Sequence, residues 1–153
     1  MNRFKKYINP YLGEMLEKIK MDKEFIRGKG CYLYDENNNK YLDCIANYGA
    51  VPFGHNNPEI WNCITKFKKS QEPSLIKPSN LKAAGKLAEK IINNTPDNLD
   101  FVTFTNSGAE SVEAAIKLSR SASGKNGILA ANNSFHGKTL GALSATGNKE
   151  YQE

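Results

Sequence analysis

The chain has 153 residues, 39% of them hydrophobic and 24% charged. That length fits one domain, or one domain with an appended segment, and the composition is globular rather than disordered. It holds no apolar stretch of the ~18 residues that a membrane-spanning helix needs, so a helical span is excluded. Met1 to Pro10 is charged but has no apolar h-region, so no secretory signal is read there.

Basic residues number 21 and acidic residues 16, a net charge of +5. The excess is dispersed, with small clusters at Lys5-Lys6 and at Lys66, Lys68 and Lys69. Nucleic-acid binding would need a basic stripe interleaved with stacking aromatics, and none is present. An anionic small-molecule partner is mildly favoured. The cysteines are Cys31, Cys44 and Cys63, an odd number with no C-x-x-C. His55 and His136 stand at no metal-ligand spacing to them. Half-buried thiols in a reducing, cytoplasmic setting are therefore expected, with no metal site.

Tyr11, Leu12, Met15, Leu16 and Ile19 have helical spacing, and Pro10 stands at the start. Gly28 and Gly30 then break the chain. Residues 31–35 and 40–45 are rich in aromatic and strand-forming residues and flank the turn 36–39, which predicts a hairpin. Residues 48–55 are punctuated by Gly and Pro yet apolar, as in an ordered loop. Asn57-Pro58 predicts an N-cap and first helical residue, with Ile60, Trp61, Ile64 and Phe67 on one face. Residues 71–78 form a connection with Pro73 and Pro78. A further helix is expected from about Ser79 to Ile92, ended by Thr95-Pro96-Asp97.

The period then switches. Residues 101–104 and 127–131 read as strands, with an Ala-rich helix at 109–121 between them and another helix start within 132–145. Strand, helix, strand is a βαβ unit, hence an α/β fold with a parallel sheet. The composition shift near 71–78 divides residues 1–72 from 73–153.

Two segments could carry chemistry. In Thr105-Asn-Ser-Gly-Ala-Glu110, Ser107 and Glu110 have capping-box spacing. Gly108 permits close backbone approach. The segment reads either as an ordinary capped helix or as a phosphate site at a helix N-terminus. Asn133-Ser-Phe-His-Gly-Lys-Thr139 follows the next strand and opens on the same sheet edge. Phe135 is either a core plug or a platform for a flat heteroaromatic ligand. His136 is either structural or an acid–base group. Gly137-Lys138-Thr139 mimics the end of a P-loop, but Asn132 stands where that motif needs Gly.

These segments resemble class III aminotransferases, the pyridoxal-phosphate (PLP) enzymes of the ornithine, acetylornithine, 4-aminobutyrate and putrescine group. Gly30-Cys-Tyr-Leu-Tyr-Asp35 with Lys40-Tyr-Leu-Asp43 resembles the family's N-terminal hairpin. Gly54-His55-Asn56-Asn57-Pro58 resembles its Gly-His-x-x-Pro signature. Thr105–Glu110 with Glu113-Ala-Ala-Ile-Lys117 resembles its phosphate-binding turn and helix, and Phe135–Thr139 its Phe-His-Gly-(Arg/Lys) loop. Together they span nearly the whole chain in the family's order.

The resemblance implies the N-terminal portion of a fold-type I PLP-dependent transferase: an arm and small-domain segment with the hairpin over 1–72, and the start of the large domain's parallel-rich sheet over 73–153. It implies that Ser107, Gly108 and Ala109 bind the PLP phosphate, that Phe135 stacks on the ring, and that His136 and Gly137 shape that loop. Tyr48 would line the substrate mouth. The substrates would be an ω-amine or basic amino acid and a 2-oxo acid, in a cytoplasmic homodimer. Residues 42–49, 111–117 and 140–146 look closer to the putrescine and ornithine branches.

The same resemblance places the Schiff-base lysine and the pyridinium aspartate downstream of the Phe-His-Gly loop. Neither Lys117 nor Lys138 matches that lysine, so no catalytic residue is assigned. The chain alone is expected to be inactive, marginally stable and prone to aggregate at an exposed sheet edge. A non-catalytic truncated paralogue or phosphate-binding module, and a P-loop-like nucleotide-binding protein, are the competing readings.

Overall fold

A computed structural model describes residues 2–73, 76 and 78–151. The chain forms two compact units, Met1–Ser74 and Leu75–Glu153.

The first unit opens on two helices, α1 (Arg3–Tyr7) and α2 (Pro10–Lys18). The sequence patterns anticipate α2 but not α1. Asparagines cap both: Asn2 Oδ1 accepts the Lys5 N–H at 3.2 Å and Asn9 Oδ1 the Leu12 N–H at 2.9 Å. The Lys5 ammonium joins α1 to Glu17 of α2 at 2.8 Å.

A three-stranded antiparallel meander follows, β1 (Phe25–Lys29), β2 (Tyr32–Asp35) and β3 (Lys40–Leu42). The hairpin is present, and β1 is an additional strand. Gly28 does not break the chain: it lies inside β1, paired with Leu33. A Cβ there would fall 2.8 Å from the His55 Cβ, so the glycine makes room for the Gly54-His55 loop. Gly30 bridges to His55 through two backbone hydrogen bonds of 3.0 and 2.8 Å.

Asp35 organises the β2–β3 turn. Its carboxylate accepts the Asn37 and Asn39 N–H groups, the Asn39 side-chain amide and the Tyr41 hydroxyl. The strand expected over 40–45 ends earlier, at Leu42. Asp43 Oδ1 accepts the Ile45 and Ala46 N–H groups, each at 2.9 Å, which turns the chain out of the ladder. Ala46, Asn47 and Tyr48 then adopt left-handed φ values of 48°, 51° and 55°. Each such residue costs about 1–2 kcal/mol in an L-chain. The turn is closed by the Gly49 and Val51 N–H groups on the Ala46 carbonyl.

Helix α3 (Pro58–Ser70) starts where Asn57-Pro58 predicts, with Asn57 Oδ1 accepting the Glu59 N–H at 2.9 Å. Its Ile60, Trp61, Ile64 and Phe67 are all exposed.

The connection expected over 71–78 lies partly outside the described residues. In the second unit, α4 (Lys82–Ile92) starts later than the expected Ser79, and Leu81 caps it without a side-chain hydrogen bond. Helix α5 (Gly108–Ser123) covers the expected Ala-rich helix, and α6 (Leu140–Ala145) the last.

Residues 101–104 and 127–131, expected as parallel strands, form no ladder with any described residue. A strand needs a hydrogen-bonded neighbour, and consecutive strands of a βαβ unit are neighbours only about two-thirds of the time. Phe101, at 94% exposure, has no covering layer here. The buried centre of this unit is instead Ala142, Ala145, Thr146 and Gly137, around α6.

Candidate functional site

The first turn of α5 is built by local hydrogen bonding. Ser107 is the N-cap, and its hydroxyl accepts the Glu110 N–H at 3.2 Å. Glu110 closes the box one residue earlier than the standard pattern. Its carboxylate accepts the Asn106 N–H at 2.6 Å, not the N–H of Ser107. Thr105 braces the turn from below, donating to the Ser107 carbonyl at 3.0 Å.

The result is a row of unused donors. Among the described residues, the N–H groups of Ser107, Gly108 and Ala109 make no hydrogen bond. A Cβ on Gly108 would meet no atom within 4 Å, so open space faces this backbone. Free amides at the positive end of a helix dipole suit an anion.

The Phe135–Thr139 loop lies against that turn. Gly137 has φ 130° and is buried, and a Cβ on it would fall 2.6 Å from the Ala109 Cβ. The loop can approach only because residue 137 has no side chain. Thr146, 1% exposed, holds the loop from its other side. Its hydroxyl oxygen accepts the His136 N–H at 3.1 Å and lies 3.3 Å from the Gly137 carbonyl.

Phe135 is 65% exposed among the described residues. His136 lines an apolar groove of about 520 Å³, between Val112 and Ile116 of α5 and Ile128 and Ala130. Tyr48 belongs to the first unit, 96% exposed on the left-handed turn. Ser107, Gly108, Ala109 and the Phe135-His136-Gly137 loop are thus brought together within the second unit.

Glu113 was not anticipated from the sequence beyond its place in the helix motif. Its Oε1 accepts the Thr139 hydroxyl at 2.7 Å, the Gly141 N–H at 2.8 Å and the Ala142 N–H at 3.2 Å. The Thr139 hydroxyl bond leads the causes that hold this carboxyl below its ordinary value, followed by the backbone amides. A Glu six residues into a helix resembles a solvated surface charge in sequence. Only the fold shows its partners, 26 to 29 residues ahead.

The residues present fit PLP in part. Free amides beside open space match its dianionic phosphate, and an exposed aromatic ring on the adjoining loop matches its flat pyridine. Among the described residues no cluster suited to a metal ion occurs.

Comparison with known proteins agrees. The chain is 39% identical over 153 residues to "Aminotransferase PigE" of Serratia sp. (strain ATCC 39006), covering 99% of this chain and 18% of that protein. It is 37% identical over 155 aligned residues to a putrescine aminotransferase of Pectobacterium atrosepticum, covering 94% of this chain and 32% of that protein. The structure superposes on the taurine:2-oxoglutarate aminotransferase of Bifidobacterium kashiwanohense, solved with PLP and glutamate, with a TM-score of 0.77 at 28% identity. That match covers 84% of this chain and 29% of that one. The chain therefore spans about a third or less of the length of these relatives. Its fold is part of the α/β fold of the fold-type I PLP-dependent transferases. Residues 17–153 match the Aminotransferase class-III family, and the chain belongs to that PLP-dependent family.

Proposed function

We propose that this chain supplies the phosphate- and ring-binding half of a PLP-dependent aminotransferase site. The reaction would move an amino group from an ω-amine or basic amino acid, putrescine- or ornithine-like, to a 2-oxo acid. One observation supports the reading: Gly137 is pressed against Ala109, which brings the loop that bears Phe135 to the first turn of α5.

Bound PLP supplies an electron sink for the proton loss that transamination requires. The chain's own residues bind and orient. The Ser107, Gly108 and Ala109 amides take the phosphate, and Phe135 lies on the ring face. His136 and Gly137 shape that loop, and for Tyr48 a role toward substrate is proposed from the family resemblance alone. No lysine here receives a covalent role. Lys117 lies in the third turn of α5, and Lys138 stands on the exposed loop.

Residues 1–72 are assigned to the arm and small domain, and residues 73–153 to the start of the large domain. The division into compact units after Ser74 supports that assignment. A homodimer is proposed, since α3 and its neighbours leave large apolar side chains exposed. The three free cysteines are exposed rather than half-buried as expected, and a cytoplasmic location is proposed because free thiols suit a reducing compartment. Among the described residues no helix is long and apolar enough to cross a membrane.

Titration with PLP and with pyridoxal tests the site. PLP should bind at least about tenfold more tightly, because the helix amides read the phosphate. Equal affinities would remove the phosphate role. Borohydride reduction with mass mapping should find no single stoichiometric lysine adduct on the 153-residue chain. Transaminase turnover by that chain alone would overturn its assignment as a binding half.

A further inference from the structure

Helix α5 touches the Phe135 loop and its following helix along one stripe. Ala109 and Glu113 are four residues apart, so they share a face of α5. Ala109 meets Gly137, and Glu113 reaches Thr139, Gly141 and Ala142. We infer that Glu113 is a positioning residue for the cofactor site: it sets the ring platform at a fixed place relative to the phosphate-binding turn. The inference rests on the PLP reading above and adds a residue to it.

The first turn of α6 shows why a carboxylate is needed. Thr139 is the N-cap of α6, yet its side chain caps none of that helix's own amides. Its hydroxyl instead donates to Glu113. The Gly141 and Ala142 amides would otherwise be unmatched at a helix start. Glu113 takes both, so a side chain of α5 does the work of the missing cap. An apolar residue at 113 could fill the space but would strand those donors.

Fit is tight on both sides. A Cβ on Gly141 would collide with the Glu113 carboxylate. The carboxylate is half-buried, and its Oε1 is shared by three donors from residues 139, 141 and 142. Such charge-assisted bonds are directional. They fix where α6 begins, and through Lys138 and Gly137 they fix the loop that bears Phe135.

None of these bonds touches the phosphate site. The Gly108 and Ala109 amides depend on Ser107 and Glu110 for their geometry. Losing Glu113 should therefore separate two affinities that simple destabilisation would lower together.

The experiment measures dissociation constants of the full chain for inorganic phosphate and for PLP. Glu113→Ala should leave phosphate affinity within about twofold and weaken PLP about tenfold. Glu113→Gln keeps an acceptor oxygen and should stay within about threefold of the parent for both ligands. Thr139→Val removes one donor from the opposite side. It should give the same split at about threefold, which keeps the test open if Glu113→Ala does not fold. Equal losses for both ligands, or no loss of PLP in Glu113→Ala, would overturn the positioning role. A parent chain that binds neither ligand would overturn the PLP reading itself, and a parent that binds both isolates Glu113 as the variable.

Discussion

His55 Nε2 lies 2.7 Å from Asp43 Oδ2, and this contact ties the end of β3 to the loop that leads into α3. The other oxygen of Asp43 holds the Ile45 and Ala46 amides at the mouth of the left-handed turn. One carboxylate thus anchors both sides of the segment that presents Tyr48. The Ala46 amide leads the causes that keep Asp43 below the ordinary carboxylate range, with the His55 side chain next.

Asp43→Ala should free the turn, because three left-handed residues in a row persist only when their surroundings hold them. Hydrogen exchange at Ile45 and Ala46 is expected to accelerate at least about tenfold, with β2 unchanged. Asp43→Asn keeps an acceptor for those amides and should exchange nearly as the parent does. Identical exchange in the alanine variant would show that the turn holds itself.

Stability should depend on acid in a defined window. Asp35, Asp43 and Glu113 all have folded values below their ordinary ones of 3.8, 3.8 and 4.5. For Asp35 the Asn39 side-chain amide is the leading cause. Below those ordinary values the unfolded chain takes up protons first, so stability rises with pH there. Their contribution is complete above the ordinary values and drains away as pH falls through the folded ones. Denaturation midpoints should fall as the pH drops below about 5. Glu113→Gln should shallow the fall, and an unchanged slope would contradict the bonding of Glu113.

Gly108 and Gly137 should respond oppositely to alanine. Space is open around Gly108, so Gly108→Ala should fold as well as the parent. Its new methyl would stand where the phosphate is proposed, and PLP affinity should drop about tenfold or more. Gly137→Ala meets Ala109 and carries a strained φ, so folding of the second unit should suffer as well. Melting and binding, measured side by side, separate the two. A Gly108→Ala chain that binds PLP normally would move the phosphate elsewhere.

Two hydroxyls can be weighed by melting alone. Ser107→Ala removes the α5 cap and should cost about 1 kcal/mol. Thr146→Val removes a buried hydroxyl that serves His136, Gly137 and Ala142, at about 1–3 kcal/mol. For a chain of this size each kcal/mol lowers the melting midpoint by about 2–4 °C. A Thr146→Val midpoint above that of Ser107→Ala would contradict the loop's dependence on Thr146.

Local chemistry was legible in the residues themselves. Pro10, Asn57-Pro58 and Ser107-x-x-Glu110 mark helix starts because a helix start is satisfied by residues within three or four positions of itself. The hairpin turn was legible for the same reason, and so was the order of the family's segments. β1 was missed because Arg27 and Gly28 interrupt its apolar pattern, and its glycine serves a partner 27 residues on. Tertiary structure alone decided that Gly137 packs on Ala109, that Glu113 caps a distant helix, and that Phe135 stands exposed. Such contacts leave no period in the sequence, since they join surfaces that meet only when the chain has folded. The residues determined which segments of the family are present, and the packing of α5 against the 135–146 segment decided how they stand together.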